Sequence, residues 1–238
     1  MKKIDRQIKA VAKKWFKKEH YKKFIYSFWG GKRIRPLLMR KICKRFDKKF
    51  DSLIEMAAAI EILHCASLVL DDIIDRENTR RGKKPFYKKF NLNEGILLGN
   101  LFALTSFEIV IENNHSRELQ IAFVQTLKEM IEGQLMELEG KIKDIESYLK
   151  YIKKKTASLF LLSAKIPFLV FKLKNKKILN FAKEFGIAFQ IANDLSKGEK
   201  EKYTILSYLP RKGAEKLLRE KLRYLNSLNL IDTKELGF

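Results

Sequence analysis

Apolar residues recur three and four positions apart along most of the chain, which is the spacing of helices with one buried face. Ile4, Ile8, Val11, Trp15 and Phe16 fall near one side of a basic amphipathic helix over residues 1–28, and Gly30-Gly31 ends it. Pro36 suits the first turn of a second helix reaching Arg45. Asp51-Ser52 can cap a third, over 53–75. The interior of that helix, LIEMAAAIEILHCASLVL, is apolar nearly all round, as expected of a helix at the centre of a bundle. Residues 76–89 read as a polar loop, followed by helices over 93–112, 116–138, 144–171, 176–197 and 203–228. With 11 Gly and 4 Pro the chain is too poor in turn residues for a β-sandwich. No repeat, low-complexity tract or linker interrupts it, so the expectation is one all-α domain over 1–238.

Charge narrows the class of partner. The 238 residues carry 50 Lys plus Arg against 28 Asp plus Glu, a net +22 that favours anionic partners. The excess runs from Lys2 to Lys234 without zinc-finger spacing or an RNA-binding aromatic signature, so no nucleic-acid partner is expected. Cys43 and Cys65 sit in apolar helical patterns and read as reduced core residues of a cytoplasmic protein. The basic start has no apolar block behind it, so no signal peptide is expected. The longest apolar stretch is read as Ser158 to Phe171, interrupted by Lys165 and Pro167, and no membrane span is expected.

The chemistry concentrates at DDIID. On a helical wheel with Asp71 at zero, Asp75 lies near 40° and Asp72 near 100°, at about 100° per residue. Three carboxylates then share one face at the end of a buried helix, where they repel unless something positive compensates. Magnesium suits: a hard ion held by one or two carboxylates plus substrate phosphates. Taken alone, a solvated acidic helix end explains the cluster better. The neighbours change that. His64 lies near 20° on the same wheel, at about 100° per residue. Arg80, Arg81 and Gly82 follow, and GGKRIRP, with Lys32, Arg33 and Arg35, precedes. Paired glycines plus cationic forks suit a diphosphate cradle. Lys155-Thr156 adds a further cation and hydroxyl.

The order GGKRIRP, EILHCASLVLDDIID, RRGKKP, GQLMEL, KKTASL and FQIANDL, spanning residues 30–195, resembles the trans-isoprenyl diphosphate synthase family. The resemblance implies the isoprenoid synthase fold, a single-domain bundle of long helices around a central hydrophobic cavity. It also implies a homodimer, or a subunit of a heteromer, that uses Mg²⁺. Asp71, Asp72 and Asp75 match the first aspartate-rich motif, which binds magnesium and the allylic diphosphate. Lys32, Arg35 and His64 match the groups that hold isopentenyl diphosphate. Arg80 matches the allylic-side arginine and Arg81 its isopentenyl-side neighbour, while Lys155, Thr156 and Gln190 match residues around the allylic diphosphate. The implied reaction is ionisation of the allylic diphosphate, attack by the isopentenyl double bond and loss of a proton. Asp71, Asp72, Asp75, Arg80 and Lys155 are its catalytic candidates.

The resemblance weakens after FQI. Asn193 and Asp194 stand at the first two positions of the family's second aspartate-rich motif, but Lys197 replaces its last aspartate. One alignment takes NDLSK as that motif degraded. Another deletes the motif and matches DLSKGEKEKYT to a later segment, which brings Lys202 into the substrate-binding set. A third compares NDLSKGEKE with the metal box of class I terpene cyclases, with Asn193, Asp194 and Glu201 as ligands, although Lys197 occupies the hydroxyl position. Lys197 carries an ammonium able to replace one metal ion beside the diphosphate. Ala66 and Ser67, small residues just before the first motif, imply a product beyond fifteen carbons such as geranylgeranyl diphosphate, with Leu63 and Ile60 at the cavity floor. The expected function is therefore an all-trans prenyl diphosphate synthase; the alternatives are a non-catalytic or regulatory subunit of a heteromeric synthase, and a terpene-cyclase-like enzyme.

Overall fold

The computed structural model describes residues 2–113, 116–197 and 203–237. Among these there are eleven α-helices and no strand, as the periodicity predicts. They are α1 (Lys2–Trp15), α2 (Lys18–Phe28), α3 (Ile34–Arg45), α4 (Ile54–Ile74), α5 (Phe86–Lys89) and α6 (Leu92–Glu112). There follow α7 (Arg117–Leu138), α8 (Ile145–Ile152), α9 (Ser158–Val170), α10 (Lys177–Lys197) and α11 (Arg211–Ser227). The chain divides into two compact units, the first of residues 1–40 and 49–120, the second of residues 41–48 and 121–238.

In the first unit α4 is the buried axis, with Met56 to Leu63 fully enclosed. Two glycines on α6 let it lie close against α4. A Cβ at Gly99 would stand 2.8 Å from the Leu70 side chain, and one at Gly95 2.8 Å from Ile73 Cδ1. Phe16, Phe24, Phe28 and Phe102 pack together, with Phe102 edge to face against Phe16 and Phe24. The helix expected over 1–28 is two helices, split at Lys17, whose backbone is extended (φ −56, ψ 152). The reason is phase. Ile4, Ile8 and Val11 fall on one side of the wheel, whereas in an unbroken helix Phe24 and Phe28 would lie about 200° round it. Breaking the helix buries both sets. The cap expected of Asp51-Ser52 is absent. A 3₁₀ turn, Phe50–Leu53, leads into α4, and the Asp51 carboxylate accepts from Lys3 (3.3 Å) and Gln7 (3.0 Å) of α1 instead.

In the second unit α8 begins with a capping box between Asp144 and Ser147. A π-helical turn, Lys153–Ala157, then joins α8 to α9 where one continuous helix was expected. Tyr148, Ile152, Ala157, Ile191 and Ile205 form a core there, and Phe160, Phe181, Phe185 and Phe189 form another along α9 and α10. α11 starts at Arg211, after Pro210, rather than at 203. Two segments are longer apolar stretches than Ser158–Phe171. Phe50–Ile74 and Leu92–Glu112 meet the length and hydropathy of a membrane-crossing helix, with 67% and 44% of their apolar windows buried. Burial of most of the first window is the signature of a protein core helix.

Candidate active site

In the first unit the end of α4 meets the loops around it. Asp71 is half-buried, Asp72 is 2% exposed and Asp75 is exposed. Asp75 is the C-cap, its N–H donating to the Asp71 carbonyl (2.8 Å), so the helix stops inside the motif. Asp71 and Asp75 are one turn apart at the negative end of the helix dipole, which favours a cation there. Asp72 does something else. Its Oδ1 accepts from Arg80 Nε (2.7 Å) and from Arg80 Nη2. Burial pushes the Asp72 carboxyl up, and the Arg80 bond opposes that. Of the three aspartates expected as metal ligands, Asp72 is the one already engaged within the protein, one of its oxygens being paired with Arg80. Among the described residues no three His, Cys, Asp or Glu side chains converge into a metal cage. A pair of hard carboxylates at a helix C-terminus fits a magnesium ion that takes its remaining oxygens from substrate and water.

The cationic side of the unit is built from GGKRIRP and RRG. Gly30 has φ +72, Arg33 φ +53 and Arg81 φ +53, so the two basic segments are held by left-handed backbone, unusual for a non-glycine residue. Lys32 is exposed and Arg35 buried. Burial lowers Arg35 to about 10, with Glu61 pulling the other way. Arg81 donates to the backbone carbonyls of Trp29 (2.9 Å) and Ser27 (3.4 Å), both neutral acceptors. His64 is half-buried, and its pKa is held well below the usual imidazole range by burial and then by Arg35, Arg81, Arg33 and Arg80. A neutral imidazole among guanidiniums is a site prepared for an anion.

Arg33, read from the sequence only as one of three cradle cations, is the most enclosed cation of the loop, 4% exposed. Its Nε donates to Asp5 Oδ1 (2.8 Å), its Nη1 to Glu61 Oε2 (3.4 Å) and its Nη2 to the Phe28 carbonyl (2.5 Å), and its guanidinium lies 3.2 Å over the Phe28 ring. Glu61 is 2% exposed; burial pushes its carboxyl up while Arg33, Arg35 and Arg81 draw it down. The available signal was Glu61 itself, a carboxylate one turn before His64 inside an apolar helix.

In the second unit two groups form. Lys155, on the π turn, pairs with Glu137 (2.6 Å), which also accepts from Tyr151 (2.7 Å). Thr156 donates to Gln190 Oε1 (2.9 Å), and Gln190 Nε2 donates to Asp194 Oδ1 (2.7 Å). Asp194 Oδ2 accepts from Tyr148 (2.6 Å) and from the Ile205 N–H (3.0 Å). The structure therefore brings Thr156, Gln190 and Asp194 onto one hydrogen-bonded string. Asp194, 3% exposed and with both oxygens engaged, ties α8 and the chain after 203 to α10. That geometry does not fit the metal-ligand role expected of it. Asn193 is half-buried. Glu201 and Lys202 lie outside the described residues, as does the side chain of Lys197. Glu137, Tyr148 and Tyr151 were missed; GQLMEL contains Glu137 but does not say which cation it aims.

A family model described as polyprenyl synthetase matches residues 17–205. The chain is 33% identical over 176 residues to a geranylgeranyl pyrophosphate synthase of Geoglobus acetivorans, covering 70% of this chain and 55% of that one. It is 32% identical over 205 residues to a short chain isoprenyl diphosphate synthase of Methanocaldococcus jannaschii, covering 82% and 62%. It therefore spans 55% and 62% of the length of these curated relatives. The solved structure of an isoprenoid synthase family member from Thermotoga neapolitana superposes with a TM-score of 0.86 at 28% identity, over 98% of this chain and 93% of that one.

Proposed function

Because the chain belongs to the polyprenyl synthetase family, we propose that it is an all-trans prenyl diphosphate synthase condensing isopentenyl diphosphate with an allylic diphosphate. Its fold is the isoprenoid synthase fold. The family match runs through both compact units, which supports reading them as one domain. The observation that carries the proposal is the end of α4: two carboxylates at a helix C-terminus, in the same unit as four arginines and a neutral histidine.

In this reading Lys32, Arg35, Arg81 and His64 hold the isopentenyl diphosphate, with the cationic side chains neutralising its oxygens. Asp71 and Asp75 would hold magnesium, which when bound would supply a hard positive charge that favours departure of the diphosphate. Arg80, oriented by Asp72, adds charge where the leaving group gains it. Lys155, aimed by Glu137 and Tyr151, and Thr156 with Gln190 bind the allylic diphosphate. The names of the archaeal relatives, and the small Ala66 and Ser67 one turn before Asp71, support a geranylgeranyl-length product. The exposed apolar faces of α6 and α7 support a homodimer. A second reading, a subunit completed by a different chain, is favoured by Lys197 in place of the motif's last aspartate and by the hydrogen-bonded Asp194.

Labelled isopentenyl diphosphate offered with five-, ten- and fifteen-carbon allylic primers, with products read by mass, tests the proposal. Asp71→Ala should lower turnover by about two orders of magnitude, the scale of losing one electrostatic stabiliser. Wild-type rates in that variant would reject the site. Product formed only after a second chain is added would favour the second reading.

A further inference from the structure

Arg33 is surrounded on every side by groups of its own protein. Asp5 takes Nε from α1, Glu61 takes Nη1 from α4, the Phe28 carbonyl takes Nη2 from the end of α2, and the Phe28 ring covers the guanidinium plane. No donor edge faces outward, so this arginine is not built to touch substrate. The loop is shaped around it. Arg33 has left-handed backbone, and a Cβ at Gly31 would fall on the Arg33 guanidinium, so the second glycine of GGKRIRP is the space into which Arg33 folds back. Lys32 and Arg35 flank it, one exposed and one buried. Their backbone directions are set by the tuck at 33.

We propose that Arg33 is a positioning residue, and that its clamp between Asp5 of α1 and Glu61 of α4 sets the affinity of the Lys32–Arg35 cradle for a diphosphate. The clamp rests on the reading of that cradle as the isopentenyl diphosphate site. It makes α1, far from the reacting atoms in sequence, part of the support of the site. Glu61 has a second effect. Buried near Arg33, Arg35 and Arg81, it offsets guanidinium repulsion before the anion arrives. The three cations can then wait close together without substrate.

Asp5→Asn is the test, because the Asp5 side chain is 35% exposed and its loss should leave the fold intact. The amide keeps the shape but loses the charge-assisted bond. The Michaelis constant for isopentenyl diphosphate should rise about tenfold, the usual scale for loosening a supporting contact. That for the allylic primer, kcat at saturation and the melting temperature should stay within error. Arg33→Lys should behave like Arg33→Ala rather than like wild type, since one ammonium cannot serve three acceptors in a fork. Both Michaelis constants rising together with a fall in melting temperature would mean a merely structural residue and overturn the clamp. Calorimetric titration with isopentenyl diphosphate separates the two ideas. A wild type that binds none overturns the cradle and the clamp together. Equal binding by wild type and Asp5→Asn overturns the clamp alone.

Discussion

At the residue scale, chemistry was legible wherever type alone decides it. Paired carboxylates, paired glycines and Lys/Arg clusters can be read without coordinates, whereas the wheel put His64 on the carboxylate face and gave no sign of the four arginines whose charge it feels. What the sequence conceals is direction. Arg33 and Arg35 are two residues apart and alike on paper, yet left-handed backbone turns the first inward onto Asp5 and Glu61. Asp71 and Asp72 are adjacent, and only Arg80 distinguishes their roles. Asp194 looks like a ligand and serves as a tie. His64 carries a pH signature that follows from its surroundings. Its folded-state pKa lies well below the unfolded value of about 6.5, lowered by burial and by four arginines. Between those two values the unfolded chain holds a proton that the folded chain does not. Stability therefore rises with pH up to about 6.5 and falls as acid is added below it. Urea melts at pH 7.5 and pH 5.5 should show wild type losing more stability on acidification than His64→Gln. Parallel losses would mean that the imidazole titrates freely in the folded state.

At the element scale, the long apolar helices declared themselves by period, and the misses came where packing overrides it. The break at Lys17 carries neither glycine nor proline; it exists because two apolar faces out of phase must both be buried. The π turn at Lys153–Ala157 has no sequence signature, yet it bears Lys155 and Thr156, and such turns gather at functional positions. Two glycines make room for it. A Cβ at Gly133 of α7 would stand 2.7 Å from the Lys155 nitrogen, and one at Gly186 of α10 2.6 Å from Ala157 Cα. Both obstacles are backbone, which cannot step aside as a side chain tip does. Gly186→Ala should therefore cost about 1–3 kcal/mol by overpacking. It should also raise the Michaelis constant for the allylic diphosphate by displacing Thr156 from Gln190. Gly213 of α11 is the control, since its Cβ would meet nothing nearer than Pro210 at 3.7 Å. There the better helix propensity of alanine should add up to about 1 kcal/mol. Thermal melts of the two variants should shift in opposite directions. A shift of the same sign in both would remove the close approach as the reason for glycine at 186.

At the scale of the whole molecule, the surface helices carry apolar rows that their own units leave uncovered. On α7 the exposed positions are Ile121, Val124, Ile131, Leu135 and Leu138, at 44%, 58%, 51%, 44% and 60%. They are spaced three, seven, four and three apart, the a and d positions of a heptad with Lys128 filling the gap. On α6 Leu97, Leu104 and Ile111 are exposed by 69%, 66% and 57%, each seven residues from the next. An apolar helical row of this kind, in a chain whose net charge of +22 resists casual self-association, is suited to a specific partner surface. In the proposed homodimer a second copy would cover the α7 row, because an isologous contact needs only that the same row face itself. Val124→Glu combined with Ile131→Glu places like charges across that two-fold contact. Sedimentation equilibrium should then give a dimer for wild type and the mass of one chain for the double variant. Circular dichroism should retain the helical signal, since neither side chain enters the core of its own unit. A dimer that survives the double substitution would move the interface off α7. A monomeric wild type would assign these rows to a different chain, which is also what the replaced second aspartate motif would require of a subunit that works only in company.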